Sequence, residues 1–502
     1  MIAIRDPVLR RRLIMATAML SSSMYSLDLT VVSVALPHMQ GTFSAAPDQI
    51  AWVVTAFIVG ATVTIATIGW LSSRFGRKRV FTAAIMIFLP ISILCGNVSV
   101  LEEEVALRMV LGLTGAAIIP LSQVIAVEAY PRERYGYALT LWSVGGIGGS
   151  IMAPPLAGVV IDLYGWPGVF YMNIPIGTLS LLGAIFVVPR ETTETARPLD
   201  VFGLVTLIIA LGATQLALNR GPRLDWFGST EIIIEVLAAG LCLYLFLAHS
   251  LTAVNPYLRP EPFGDRNYAV GILGAFLYGT LWALPTVMVP LLLQNYRSVP
   301  VEIVGLLVMP RQLGYLIGST CMGVLIQRID PRALAMLGFS SVAFSAWLMS
   351  HWSLDVNLWS IGWASILQGI GCAMAFISLN TLALSTIGPE YRPQCVPLFY
   401  LIINLGSGVG VAGAVTFWAN HTQSTRALLI EHVSPFNPLL HEPGVREAWD
   451  VGTASGISAI NQELIRQAGM IGYNDTFAIV MVAALCAASL AILFRKVTAR
   501  KA

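Results

Sequence analysis

Apolar runs long enough to cross a bilayer recur from one end of this chain to the other, and nothing else constrains its fold as tightly. A spanning helix needs roughly 20 apolar residues. Runs bounded by Arg, Pro, Gly or Asn clusters fall at about 13–37, 48–72, 79–98, 104–128, 137–162, 166–188, 201–219, 229–250, 268–292, 302–327, 333–351, 357–386, 397–419 and 474–495. That predicts fourteen spans. Hydrophobic residues at 56%, charged residues at 11% and a mean hydropathy of +0.75 leave too little polar surface for a soluble globule. The chain is therefore predicted to be an all-α integral membrane protein with no large soluble domain, and its net charge of +2 carries no message about nucleic acid.

The basic residues fix an expected orientation. With both termini in the cytoplasm, Arg5, Arg10, Arg11, Arg12, the 74–79 cluster, Arg132, Arg134, Arg190, Arg197, Arg259, Arg266, Arg328, Arg332, Arg392 and the terminal RKVTARK all fall inside. Only Arg220, Arg223, Arg297, Arg426, Arg446 and Arg466 fall outside. Such a bias is what the positive-inside rule requires. Trp52, Trp166, Trp226 and Trp352, near the expected outer ends, fit an interfacial belt or ordinary packing. The apolar run after Arg12 continues past Asp28 to Pro37, too long for a cleaved leader.

An internal repeat is also present. Gly69-x-Leu71-x-x-Arg74 returns as Gly323-x-Leu325-x-x-Arg328, and Pro131-x-x-Arg134 as Pro389-x-x-Arg392. Two six-span halves joined directly would repeat sooner, so the interval implies two extra spans between them. The expected organisation is a six-helix bundle over 1–200, an inserted pair over 201–250, and a second six-helix bundle over 251–502. Duplicated halves mark secondary transporters, whose substrate path lies between them. One long external segment, 420–473, holds Ile457, Ile460, Leu464 and Ala468 at helical spacing, which predicts a short amphipathic helix that either docks a partner or caps the protein's own surface.

Asp28 is the outstanding chemical residue, being the lone ionisable group between Arg12 and His38. A charge at a helix centre costs roughly 3 kcal/mol on insertion scales, so this carboxyl should pair with a cation or take up a proton. Arg108, inside the fourth span and always charged, is the expected partner, with Gly112, Gly115, Ile119 and Gln123 following on nearly the same face. The expected device is an Asp28–Arg108 proton-coupling pair, with a structural ion pair as the plainer alternative. Arg311 is a second buried cation with no acid in its own run, and needs a carboxylate, a helix C-terminus or an anionic substrate. Gln123, Gln215, Gln368 and Asn380 either line a substrate path or hold helices together.

Two segments look mechanical. Gly69, Arg74, Gly76, Arg77 and Lys78 form a basic glycine turn that recurs in the second half, which points to a gate as much as to a topology anchor. Gly145, Gly149, Ala153 and Ala157 form a small-residue row, with Pro154, Pro155 and Gly158 beside it, and Gly406 and Gly410 repeat the pattern. Gly408-x-Gly410-x-x-Gly413 matches a dinucleotide fingerprint only formally, since no strand precedes it. No GxxxxGK[ST], HExxH or GxSxG is present, which argues against an ATP-driven pump in one chain and against an enzyme. The six cysteines lack metal-ligand spacing, and His38, His249, His351, His421, His432 and His441 are scattered, so no metal site is expected.

Leu27 to Pro37, Gly69 to Lys78, Arg108-x-x-x-Gly112 and Ala153 to Gly158 together resemble the first-span, gating, fourth-span and antiporter motifs of the major facilitator superfamily, within it the fourteen-span drug:proton antiporters. Asn219-Arg220-Gly221, Asp225-Trp226-Phe227 and Pro435-Phe436-Asn437-Pro438 are similar to EmrB-type membrane subunits of tripartite multidrug exporters. The resemblance implies a major facilitator fold in a bacterial inner membrane and proton-driven export of drug-like amphipathic molecules without a cofactor. It also implies a periplasmic adaptor and an outer-membrane channel as partners. It departs from the family where the gating motif's acid is Ser73, two antiporter glycines are Ala153 and Ala157, and the fourth-span glutamine is Leu111. An exporter of a specific metabolite or siderophore is the nearest alternative. An antiporter-like subunit of a cation-translocating complex ranks below it, because such subunits need membrane-embedded lysines and Lys78, Lys496 and Lys501 all lie in expected cytoplasmic segments.

Overall fold

Lipid offers no partner for a free peptide group, so a chain of this composition must satisfy its backbone within helices. The computed structural model does so. It describes residues 6–131, 134–189, 199–297, 299, 301–388, 390–431, 433, 449 and 453–495. Arg5, Arg132, Arg190, Arg197, Pro389, His432, the Pro435–Pro438 motif, His441, Arg446 and everything after Arg495 lie outside the described residues.

Fourteen long helices follow one another: α1 (Pro7–Thr42), α2 (Trp52–Phe75), α3 (Arg77–Cys95), α4 (Leu101–Glu128), α5 (Tyr135–Tyr164), α6 (Asn173–Phe186), α7 (Val201–Arg220), α8 (Thr230–Thr252), α9 (Arg266–Asn295), α10 (Val301–Leu325), α11 (Pro331–Met349), α12 (Leu358–Ser385), α13 (Arg392–Ile430) and α14 (Ala454–Leu490). Among the described residues thirteen are long and apolar enough to cross a membrane, α6 counting together with the preceding Gly168–Tyr171 turn of helix. The remaining one, α10, carries Pro310, Arg311 and Gln312 at its centre. Only Gly76 separates α2 from α3, and its φ of 85° lies in the left-handed region that a side chain resists.

The helices pack in groups. In the first six helices α1 packs on α4, α5 and α6, and α2 and α3 on α4. In the last six α9 packs on α12, α13 and α14, and α10 and α11 on α12. The inserted pair stands apart: α7 touches α2 and α13, while α8 packs on α7 and leaves most of its surface uncovered. Asp200 ties this pair in place, accepting from Gly203 N–H at 2.9 Å and Tyr257 N–H at 3.0 Å and meeting His249 Nε2 at 2.9 Å.

Two glycines show how closely the repeat units pack. Gly112 of α4 lies against the Phe57 carbonyl of α2, and Gly369 of α12 lies against the Arg311 carbonyl of α10 in the matching place. Lipid supplies no hydrophobic drive between helices, so close backbone approach is what holds them. Gly112→Val should therefore cost about 3 kcal/mol by overpacking, lowering the thermal midpoint of the detergent-solubilised protein by several degrees. Gly240→Val, where nothing lies within 4 Å, is the control and should leave the midpoint almost unchanged. Equal midpoints for the two variants would refute the packing argument.

The external segment differs from expectation. Helix α13 runs on to Ile430 and α14 begins at Ala454, so Ile457, Ile460, Leu464 and Ala468 belong to an N-terminal continuation of the last span, not to a separate helix. Neither stretch meets a proline after Pro397, and nothing stops either helix at the membrane surface. At 39 residues α13 is about 58 Å long, against about 30 Å of hydrocarbon. Trp418 Nε1 donates to the Gly469 carbonyl at 2.8 Å and Arg426 Nη2 to Asn461 at 2.6 Å, joining the extensions to each other. Of the two readings offered for Trp166 and Trp352, packing holds: both are buried, Trp166 donating to Thr42 at 2.9 Å and Trp352 stacking on Tyr473, whereas Trp52 is exposed.

Candidate functional site

Asp28 and Arg108 meet. Arg108 Nη1 donates to Asp28 Oδ2 at 2.9 Å, and both side chains are 1% exposed. Arg108 lies seven residues into α4, about 10 Å from its first residue. The second carboxylate oxygen of Asp28 accepts from Asn173 Nδ2 at 2.9 Å, and that amide also donates to Ser92 Oγ at 3.0 Å. The Phe57 ring lies 4.4 Å from the guanidinium carbon, closing one side without competing for the charge. Four helices, α1, α3, α4 and α6, are thus joined at one carboxylate.

Sequence reasoning missed two members of this cluster. Glu104, one turn before Arg108, is fully buried, and neither of its carboxyl oxygens has an N–H donor among the described residues. Its Cys95 neighbour offers only a thiol. The signal was the four-residue spacing to Arg108, which puts acid and base on one helical face. Asn173 gave no comparable sign, since a lone uncharged amide inside the 166–188 run does not stand out as a charge does.

The gating segment finds its acid elsewhere. Ser73 only turns back onto the Trp70 carbonyl at 2.8 Å, but Arg77 Nη1 meets Glu128 Oε1 at 2.5 Å, so the end of α4 supplies the carboxylate that the turn lacks. Lys78 Nζ donates to the Ile185 and Val188 carbonyls at 2.7 and 2.5 Å, at the C-terminus of α6 where a cation is favoured. Arg74 is exposed. In α5, Gly145 and Gly149 lie against Met19 and Ser23 of α1, and Ala153 and Ala157 are fully buried. Gly158 faces open space and takes no part in that packing, while Pro154 is half-buried and Pro155 exposed. Gly406 and Gly410 repeat the approach against Phe276 and Thr280 of α9.

Direct contacts described between the two halves gather at one end. Gly69 lies against the Pro393 carbonyl, Arg392 Nη1 donates to Tyr135 Oη at 2.9 Å, and Gly136 faces Ile326. Gln123 Nε2 donates to Asn380 Oδ1 at 3.1 Å, and Tyr400 Oη donates to Gln123 Oε1. Of the two roles open to these intramembrane amides, Gln123 and Asn380 take the second and form a bolt across the halves. This is the end that carries the α2–α3 and α4–α5 links. At the other end the inserted pair bridges the halves: Arg220, paired with Glu231 and Glu235, lies over the Trp52 ring of α2, and Trp226 Nε1 donates to Thr416 of α13 at 2.7 Å.

Gln215 is buried beside Gly408. Gln368 and Arg311 lie apart from the bolt. Gln368 Nε2 approaches the Leu281 carbonyl at 3.5 Å. Arg311 is 3% exposed and donates to Thr286 Oγ1 and to the Trp282 carbonyl, with no carboxylate against it among the described residues. Those residues also hold no group of three or more metal-ligating side chains.

Comparison with known proteins shows the family and the fold. The model of the Major Facilitator Superfamily matches residues 18–259 and 271–428. Over 479 residues, 94% of this chain and 93% of the relative, the sequence is 31% identical to the multidrug export protein EmrB of Haemophilus influenzae. It is 30% identical to the fatty acid resistance protein FarB of Neisseria gonorrhoeae, over 90% of this chain and 89% of that one. Among solved structures, the proton:xylose symporter XylE aligns over 95% of both chains with a TM-score of 0.60 at 13% identity, a likeness of fold alone.

Proposed function

Because the chain belongs to the Major Facilitator Superfamily, we propose that it exports hydrophobic and amphipathic small molecules across a bacterial inner membrane in exchange for protons, with both termini in the cytoplasm. Relatives named for multidrug export and fatty acid resistance support this substrate range. The observation that carries the coupling is the buried Asp28–Arg108 pair with Glu104 beside it. Asp28 is paired with the one guanidinium and the buried Glu104 is bonded to no N–H donor among the described residues, so with both acids ionised the pocket holds one negative charge in excess. The cluster can accept one proton without leaving a bare cation, and that proton belongs to the group as a whole.

The steps follow from the contacts. With the basic loops in the cytoplasm, the end closed by Gly69, Arg392 and Gln123 is the cytoplasmic one, as an outward-facing form requires. Asp28 is then paired and waits for a proton from outside. Protonation weakens its bonds to Arg108 and Asn173, which loosens α1 from α4 and α6. Those helices carry or adjoin the faces that meet the second half through Gln123 and α5, so the sealed end can open as the outer end closes. Release of the proton to the cytoplasm re-forms the pair and returns the cavity outward. The long outer extensions of α13 and α14 give a periplasmic adaptor, and through it an outer-membrane channel, a surface to hold.

Proteoliposomes with an imposed pH gradient test this reading. Addition of lipophilic cationic and neutral drugs should discharge the gradient in loaded vesicles and not in protein-free ones. A gradient that persists against a broad panel of such compounds would remove the proposal.

A further inference from the structure

Arg108 and Arg311 are both buried guanidinium groups, and the fold treats them oppositely. The equivalence of the halves is set by the glycine contacts, which match Phe57 with Arg311 and Gly112 with Gly369. By the same register the place of Arg108 in the second half is held by Ser365. The second half thus has its buried cation on α10 and none at the matching place on α12, and no carboxylate lies against it among the described residues. Neither α9 nor α12 contains an Asp or Glu. Arginine stays charged at any working pH, so this position cannot be relieved by losing a proton. An uncompensated charge in the interior is expensive, and neutral partners such as Thr286 and the Trp282 carbonyl offset it only in part. The Nε of Arg311 has no acceptor at all among the described residues.

The surroundings are aromatic. The Trp282 ring lies 4.1 Å from the guanidinium carbon, and Tyr315 meets Trp282 with centroids 5.2 Å apart. From there Tyr278, Phe376 and Tyr400 continue in steps of 6.3, 5.5 and 6.3 Å, and Trp142 of the first half closes the series 6.5 Å from Tyr400. The series therefore leads from the cation to the seam between the halves. Tyr315, one turn beyond Arg311 on α10, also approaches Ser143 of α5. Thr286, to which Arg311 donates, is exposed, so the guanidinium lies one hydrogen bond below the surface of α9.

We infer that Arg311 is the anchor for the acidic group of an amphipathic organic anion, whose apolar body lies along the Trp282–Tyr400 aromatic series. The bound carboxylate supplies the counter-charge that the chain withholds, and it does so with charge-assisted hydrogen bonds to a planar donor suited to it. The inference rests on reading the chain as an exporter, and it names one substrate class for that exporter.

The test uses the full chain in phosphatidylcholine vesicles, so that no anionic lipid competes for the guanidinium. Transport of dodecanoate is compared with that of a neutral lipophilic dye in wild type, Arg311→Gln and Arg311→Lys. Arg311→Gln should lose roughly ten- to a hundredfold in dodecanoate transport while dye transport stays within about twofold, and Arg311→Lys should recover part of the loss. Equal losses for both probes would make Arg311 a structural residue and overturn the inference. Wild-type transport of the dye with none of dodecanoate would overturn it as well, leaving the export function intact. Failure of both probes in wild type would instead strike at the export reading itself.

Discussion

Arg108→Met should be the most damaging single change in the protein, because it leaves Asp28 and Glu104 facing each other with no cation. Removing one partner of a buried ion pair costs about 3–5 kcal/mol, mostly as the penalty on the charge left behind. We expect the variant to insert in lower yield, to melt far below wild type in detergent and to transport nothing. The double variant Asp28→Asn with Arg108→Met removes both charges of the pair and should regain much of the stability. It should regain none of the pH-driven transport. That difference separates two roles which a single substitution confounds: an ion pair kept only for packing would let the double variant transport as well as it folds. If Arg108→Met alone melted with wild type, the pair would not be the electrostatic centre described above.

Much of this was legible in the sequence for a simple reason. A lone Asp or Arg in an apolar run is visible because lipid tolerates so few of them, and Asp28 and Arg108 stood out without any knowledge of contacts. The fold followed from run length and from motifs that repeat, since each half must solve the same packing problem. Glu104 was hidden because it follows Glu102 and Glu103, which are exposed at the helix start, and three adjacent acids look like a solvated turn. Glu128 was hidden for the opposite reason: its partner Arg77 is distant in sequence, and only the fold brings the end of α4 to the gate. The amides Gln123 and Asn380 were recognised as intramembrane polar groups, but whether such a group faces a cavity or a neighbouring helix is decided by side-chain direction. The extension of α13 was read as loop and that of α14 as a separate short helix, because their polar residues end the apolar run, although polarity does not end a helix.

Protonation of the Asp28 cluster can be tested apart from substrate handling by measuring two kinds of transport with Asp28→Asn. Exchange of labelled for unlabelled drug needs the molecule to alternate while loaded, and it needs no proton. Uphill accumulation against a drug gradient needs the proton to be carried in return. An asparagine keeps the size of the side chain and a hydrogen bond but holds no exchangeable charge. The variant should exchange drug at a rate within a few-fold of wild type, as expected of an intact path, and should show no pH-driven accumulation above protein-free vesicles. Accumulation by Asp28→Asn at the wild-type level would contradict the account.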